Sequence, residues 1–330
     1  MEPIHFNRLI LHPGSPKTGT SGLQNFLFRK RAELLEHGYL YPLSGIPTEG
    51  GTARGHHALA LHLDPAAAEP SAELRDMVEG MRAEIAAAPD HVVLLSSEEF
   101  FGAHRIGLLK QYLRPQHCHI YVSLRPQPEV MNANYYTQVT HNRIKHPPAV
   151  YFDWAINRLR YRENMEAFAG FCDDTTISLR IFEKGSAVRS SPIEDFLSVM
   201  QIPLEYDAKD NTVEHPTLPA QPTLFLRWLN ELGFDQASFF DVFQSLHKMR
   251  AKLPRDTYTM SPARIAAVIE TFDADNREIR RRYLDGEDAP LFSPPDLPDP
   301  EQWENSVGED YTKVERAFFK RLCVLAGHEK

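Results

Sequence analysis

The chain has 330 residues, 42% hydrophobic and 25% charged, with a formal net charge of −9. These proportions are those of a folded globular protein and exclude disorder throughout; the acidic balance argues against general nucleic-acid binding, so an anionic ligand needs a local cluster of positive charge. No apolar run is long enough to span a bilayer, Met1 to Arg8 lack the features of a secretory signal, and a cytoplasmic location is the expectation. The cysteines Cys118, Cys172 and Cys323 have no paired spacing, which points to neither a disulfide framework nor a zinc site.

In chain order, Phe6 to His12 reads as a buried strand, and Gly14 to Gly22 as a turn-rich segment feeding a helix. On that helix Leu23, Phe26, Leu27, Leu34 and Leu35 follow a 3.6-residue period, and Gly38 ends it. A helix from Ser71 to about Ala88 leads into a strand from His91 to Leu95. A helix near Leu108 to Leu113 precedes a strand from His119 to Leu124, after which Pro126 and Pro128 open a helix through Val139. A helical stretch centred on Trp154 to Phe168 leads to a strand from Thr176 to Phe182. This alternation predicts a parallel sheet covered on both faces, a three-layer α/β/α architecture.

From about Leu224 the pattern is mainly helical. Ser261 and Pro262 start a helix with Ile265, Val268, Ile269, Phe272 and Ile279 on one face. Asp285 to Asp310 is acidic and rich in proline and reads as a long surface loop, and a last helix runs from Tyr311 to Leu325. No internal repeat is visible. The expected organisation is one domain over residues 1–330, with an α/β core to about residue 200 and a mainly helical part from about 215.

The segment "HPGSPKTGTSGLQNFL", residues 12–27, sets a lysine, four hydroxyls and three glycines between a strand and a helix start. A strand, a Gly-rich turn and a helix N-terminus form an anion cradle, in which unpaired amides and the positive end of the helix dipole face the ligand. Phosphate or sulfate suits it. A Walker A loop requires G-x-x-x-x-G-K-[ST], whereas here the lysine precedes the second glycine of P-K-T-G-T-S.

At these positions the sequence resembles the sulfotransferase superfamily, and within it the bacterial sulfotransferase-like group, whose first motif looks like H-x-G-x-P-K-T-G-T-[ST]-x-L-Q. The resemblance implies a P-loop-like turn holding the 5′-phosphosulfate of PAPS (3′-phosphoadenosine 5′-phosphosulfate), formed by Gly14, Lys17, Thr18, Gly19, Thr20 and Ser21. A second family element pairs a strand-end arginine with a serine eight residues later, and the two grip the 3′-phosphate. "YVSLRPQPEVMNANYY" supplies Arg125, but the later position is Ala133, flanked by Asn132 and Asn134 as substitutes. "GHHALA", "VLLSSEEF", "LRIFEK" and "EDFL" extend the likeness from about Leu9 to Leu197, with a looser echo in "NREIRRRYL".

Sulfuryl transfer requires in-line positioning, charge stabilisation at the leaving oxygen and removal of the acceptor proton. Lys17 suits the leaving group. Glu98 and Glu99 follow the strand ending at Leu95, only one of them can face the cleft, and Glu98 is favoured as base; His56 and His57 are the alternatives. No metal is expected. Arg180 suits either the cofactor or a structural ion pair, and Tyr135 and Tyr136 either a stacking role or the core. The function implied is transfer from PAPS to a hydroxyl, with an amine as second choice, of a carbohydrate or glycolipid; the acceptor itself is not readable. A P-loop kinase with "VVLLSSEE" as its Walker B strand and a non-catalytic protein that binds a nucleotide or sulfated ligand are the alternatives.

Overall fold

A computed structural model describes residues 1–15, 17–48, 54–67, 69–210, 217–253, 258–308 and 315–320. The backbone divides into two compact units, one of Met1–Arg125, Arg160–Glu214 and Asp275–Ser293, the other of Pro126–Leu159, His215–Ala274 and Pro294–Lys330. The division does not follow chain order at about residue 200. Residues 275–293 join the first unit through Ser293, whose amide and hydroxyl donate to Glu183 at 2.9 and 2.8 Å, and through the Arg162–Asp275 ion pair at 3.1 Å.

The first unit is built on five strands: β1 (Ile4–His12), β2 (Tyr39–Leu40), β3 (Val92–Ser96), β4 (Leu113–Leu124) and β5 (Asp174–Ile181). They form one sheet in the order β2-β3-β1-β4-β5, every neighbour parallel, with Leu9 opposite Val93 and Leu11 opposite both Leu95 and Ile120. The helices are α1 (Thr20–Arg29), α2 (Arg31–Glu36), α3 (His57–His62), α4 (Ala72–Ala87), α5 (Ala103–Tyr112), α6 (Gln127–Thr140), α7 (Pro148–Ala155), α8 (Tyr161–Ala169), α9 (Ala187–Ser190), α10 (Pro192–Met200), α11 (Ala220–Glu231), α12 (Gln236–Lys248), α13 (Pro262–Tyr283) and α14 (Pro300–Ser306). This is an α/β fold.

Strand side chains alternate between faces, and both sets are buried here. Ile10, Leu94 and Tyr121 pack with Leu23, Phe26 and Leu27 of α1, Leu34 of α2 and Ile193, Phe196 and Leu197 of α10. Leu9, Leu11, Val93 and Leu95, which alternate with them, are equally buried on the opposite face. The helix expected to continue to Gly38 breaks at Lys30; the break turns Leu35 out to 44% exposure while Leu34 stays buried. β4 starts six residues before the expected His119, because Leu113 to His117 pair in register with Ile4 to Arg8, and backbone pairing rather than apolarity makes that half of the strand. Arg180 belongs to the frame: it donates from Nε to Asp195 Oδ2 at 2.8 Å, Tyr121 Oη donates to the same oxygen at 2.6 Å, and α10 is thereby tied to β4 and β5.

In the second unit, Asn230 Nδ2 on α11 donates to the carbonyls of Val139 at 2.9 Å and Ile144 at 3.1 Å. Arg227 donates from Nε to the buried Glu315 at 2.9 Å, and fastens the helical residues 315–320 to α11. The acidic, Pro-rich stretch is not loop throughout: Asp299 caps α14 by accepting from Gln302 N at 2.9 Å, Pro300 occupies its first turn, and Trp303 is buried. This is the usual signature of a helix start, hidden from a reading based on composition. Of the last predicted helix, Tyr311 to Leu325, only residues 315–320 lie within the described residues. Among the described residues no helix is long and apolar enough to cross a membrane.

Candidate functional site

In the sheet, the chain moves from β1 outward to β2 and β3, then returns to place β4 on the other side of β1. In open parallel sheets, ligands bind beyond the carboxyl ends of the strands where this order reverses. The loop after β1, the turn after β3 and the residue after β4 all emerge there.

His12 ends β1. Its Nδ1 lies 2.8 Å from Ser96 Oγ, its carbonyl accepts from Ser97 N at 3.0 Å, and its ring meets Tyr121 edge-on, so the root of the loop is pinned to β3. Burial pulls its pKa down to about 4, against the opposing charge of Glu98. Three loop residues take positive φ: Gly14 at 53°, Lys17 at 66° and Gly19 at 79°. A Cβ at Gly14 would lie 2.6 Å from Thr20 Cγ2 and 3.5 Å from Glu98 Cα, and one at Gly19 2.9 Å from Pro192 Cγ. The two glycines therefore let the turn close against Glu98 on one side and α10 on the other. Lys17 has no such freedom, and its left-handed backbone is a local strain of the kind that collects at functional turns.

α1 starts at Thr20 with no side-chain cap and no acidic residue in its first turn, which leaves the positive end of its dipole uncompensated. Thr18 Oγ1 donates to the Ser15 carbonyl at 2.7 Å and so braces the loop. Ser15 Oγ, fully buried, has no hydrogen-bond partner among the described residues. Arg125 Nη1 donates to the Lys17 carbonyl at 2.9 Å, and the Arg125 carbonyl accepts from Tyr161 Oη at 2.8 Å, so this strand-end arginine is held against the loop. Lys17 keeps an exposed flank, yet the protein packed around it lowers its pKa from the ordinary lysine value; the Glu98 charge opposes that shift and the Arg125 charge adds to it.

Beyond β3 the two glutamates diverge. Glu98 Oε2 accepts from Gln24 Nε2 on α1 at 2.9 Å and lies 3.8 Å from His57 Nδ1, whereas Glu99 pairs with Arg105 at 2.6 Å. Ser97 Oγ caps the short turn Glu98–Phe100 by accepting from Glu99 N at 3.1 Å, and lies 2.9 Å from His57 Nδ1. His56 turns inward: it is fully buried, Nε2 donates to the Pro42 carbonyl at 3.0 Å, Nδ1 accepts from Ser96 N at 3.1 Å, and burial lowers its pKa to about 4. It is a structural pin, and the base candidates that remain at the loop are Glu98 and His57.

The first unit thus brings together Gly14, Lys17, Gly19, Thr20, Arg125, Glu98 and His57. Asn132 belongs to the second unit, where its Oδ1 accepts from Thr259 N at 2.8 Å and Thr259 Oγ1 at 2.9 Å; Ala133 beside it is buried. Tyr135 and Tyr136 are core residues, the former donating to the His146 carbonyl at 3.0 Å, the latter hydrogen-bonded to His247 at 2.9 Å. Gln24, which closes the first motif, and Ser97 carried no role from sequence alone. Gln24 had a legible signal, since it stands one helical turn after Thr20 and shares its face; Ser97 had none beyond its place at a strand end.

Two recesses of about 330 Å³ share no lining residue with this cluster, one beside Thr175, Arg281 and Tyr283, the other beside Leu197, Gln201 and Tyr206. In the first the guanidinium groups of Arg281 and Arg282 are already paired with Glu278. Lys17, Arg125 and the uncapped start of α1, rather than volume, make the loop the candidate site. Among the described residues no group of three His, Cys, Asp or Glu is arranged to hold a metal ion. Compared with known proteins, the chain matches no family model, no curated protein and no solved structure.

Proposed function

We propose that the chain is a sulfotransferase that moves the sulfuryl group of PAPS to a hydroxyl, with an amine as second choice, of a carbohydrate or glycolipid, the loop after β1 serving as the P-loop-like phosphosulfate turn of a three-layer α/β/α fold. The observation that carries this reading is the convergence of Lys17, the uncapped start of α1 and Arg125, with Glu98 across the turn. The donor set fits the anion: among the described residues a buried hydroxyl without a partner at Ser15, the uncapped start of α1 and two cationic side chains. Lys17 and the α1 amides balance the charge that collects on the phosphate oxygen as the sulfur–oxygen bond breaks. Glu98 accepts the proton of the attacking hydroxyl, and Gln24 holds its carboxylate in place.

A second reading, a protein that binds a nucleotide or sulfated ligand without turnover, draws on Ala133 and on the engagement of Asn132 with Thr259, which weaken the 3′-phosphate grip beside Arg125. Calorimetric titration with adenosine 3′,5′-bisphosphate, 5′-AMP and ATP with magnesium, alongside transfer of labelled sulfate from PAPS to saccharide acceptors, separates the readings. The sulfotransferase reading expects micromolar binding that weakens by about 2 kcal/mol or more without the 3′-phosphate, the scale of lost charged hydrogen bonds, together with transfer. Binding without transfer to any acceptor supports the second reading, and preference for ATP with magnesium refutes the sulfotransferase reading and leaves a kinase or the non-catalytic binder.

A further inference from the structure

The Ser97–His57 contact determines which ring nitrogen of His57 carries a proton. Ser97 is fully buried, and among the described residues its hydroxyl has two partners, Glu99 N at 3.1 Å and His57 Nδ1 at 2.9 Å. The amide of Glu99 can only donate. The one hydrogen of the Ser97 hydroxyl therefore has a single acceptor within reach, His57 Nδ1, and turning it elsewhere leaves a buried donor unsatisfied. Glu98 does not compete for a hydrogen on Nδ1, because its Oε2 is 3.8 Å away, beyond hydrogen-bond distance, and already accepts from Gln24. In the neutral ring the lone pair on Nδ1 is thus occupied and the proton sits on Nε2. A histidine in this state has no free lone pair to take a proton from an acceptor hydroxyl, but it has an N–H to give.

We infer that His57 serves this site as a neutral hydrogen-bond donor through Nε2–H, with Ser97 as the positioning residue that sets its tautomer, and that proton acceptance falls to Glu98. The tautomer assignment stands on geometry alone; the role of the donor, stabilising negative charge on the oxygens of the transferred group, rests on the sulfotransferase reading. Glu98 and His57 then perform opposite tasks side by side. Such a division explains why a carboxylate and an imidazole meet at one turn without forming a direct hydrogen bond.

The test is nitrogen–proton correlation NMR on the full chain labelled at histidine, recorded at a pH where the rings are neutral, with His57→Gln used to assign the His57 signals. The expected pattern is a protonated Nε2 and an unprotonated Nδ1; the opposite tautomer overturns the inference. Ser97→Ala is expected to release this single-tautomer pattern and Ser97→Thr, which keeps the hydroxyl, to retain it, whereas an unchanged pattern in Ser97→Ala refutes the positioning role. In the transfer assay, His57→Gln, whose side-chain amide still donates, is expected to keep at least tenfold more turnover than His57→Ala, while Glu98→Gln loses turnover at unchanged cofactor affinity. Equal loss in His57→Gln and His57→Ala, with Glu98→Gln active, makes His57 the base and overturns the assignment. Complete absence of PAPS turnover in the parent chain refutes the sulfotransferase reading, and the NMR result then decides the tautomer by itself.

Discussion

Replacing Gly14 with alanine separates the two reasons for a glycine at the root of the loop. Its φ of 53° is left-handed, which costs a residue with a Cβ about 1–2 kcal/mol. The added Cβ would also lie 2.6 Å from Thr20 Cγ2, a contact that cannot stand without displacing Thr20 or the turn, and overpacking of this kind costs about 1–3 kcal/mol. The sum is a loss of about 2–5 kcal/mol in urea unfolding. Serine at position 20 lacks the offending methyl, so Gly14→Ala/Thr20→Ser should recover the packing share and retain only the backbone share, about 1–2 kcal/mol. Because Thr20 opens α1, the single variant should also weaken adenosine 3′,5′-bisphosphate binding more than the double variant does. Gly14→Ala within about 0.5 kcal/mol of the parent, the range of a neutral surface change, would refute the geometry. A double variant no more stable than the single one would show that the Thr20 contact carries no cost.

Lys17→Ala should leave the unfolding midpoint within the range of a surface change while lowering transfer by about 10²–10³-fold, the effect of losing one preorganised charge-stabilising group; steady-state rates with PAPS check it. Acidification should destabilise the first unit: His12 and His56, depressed from 6.5 to about 4 in the fold, bind fewer protons than in the unfolded chain. Their contribution is complete above pH 6.5 and is lost as the pH falls toward 4, by on the order of 3 kcal/mol for each histidine, and His56→Gln should flatten the pH dependence of the unfolding free energy across that window. Arg227→Met removes the guanidinium paired with the buried Glu315 carboxylate in the second unit and should cost about 3–5 kcal/mol, read by denaturant unfolding; Arg227→Met/Glu315→Leu should recover most of it.

The chain's local chemistry was enough to establish the four longer strands, the βα alternation, the turn between β1 and α1 and the start of α13 at Pro262. Each is written in consecutive residues, as apolar runs, helical periodicity or turn chemistry. Strand order was not legible, because the side of β1 on which each strand pairs depends on contacts between residues far apart, and that order puts the topological switch point at the carboxyl end of β1. The two-residue β2 was too short to leave a periodic signal. Adjacent residues with the same chemistry were separated only by packing: Glu98 turns to Gln24 and Glu99 to Arg105, His57 stays at the loop and His56 is buried against β3. Thr18 braces the loop because its hydroxyl meets the Ser15 carbonyl, and Asn132 is bound to Thr259, 127 positions away. Composition and motif set which groups the site possesses; the direction in which each side chain leaves its backbone, decided by tertiary packing, sets what each group can do.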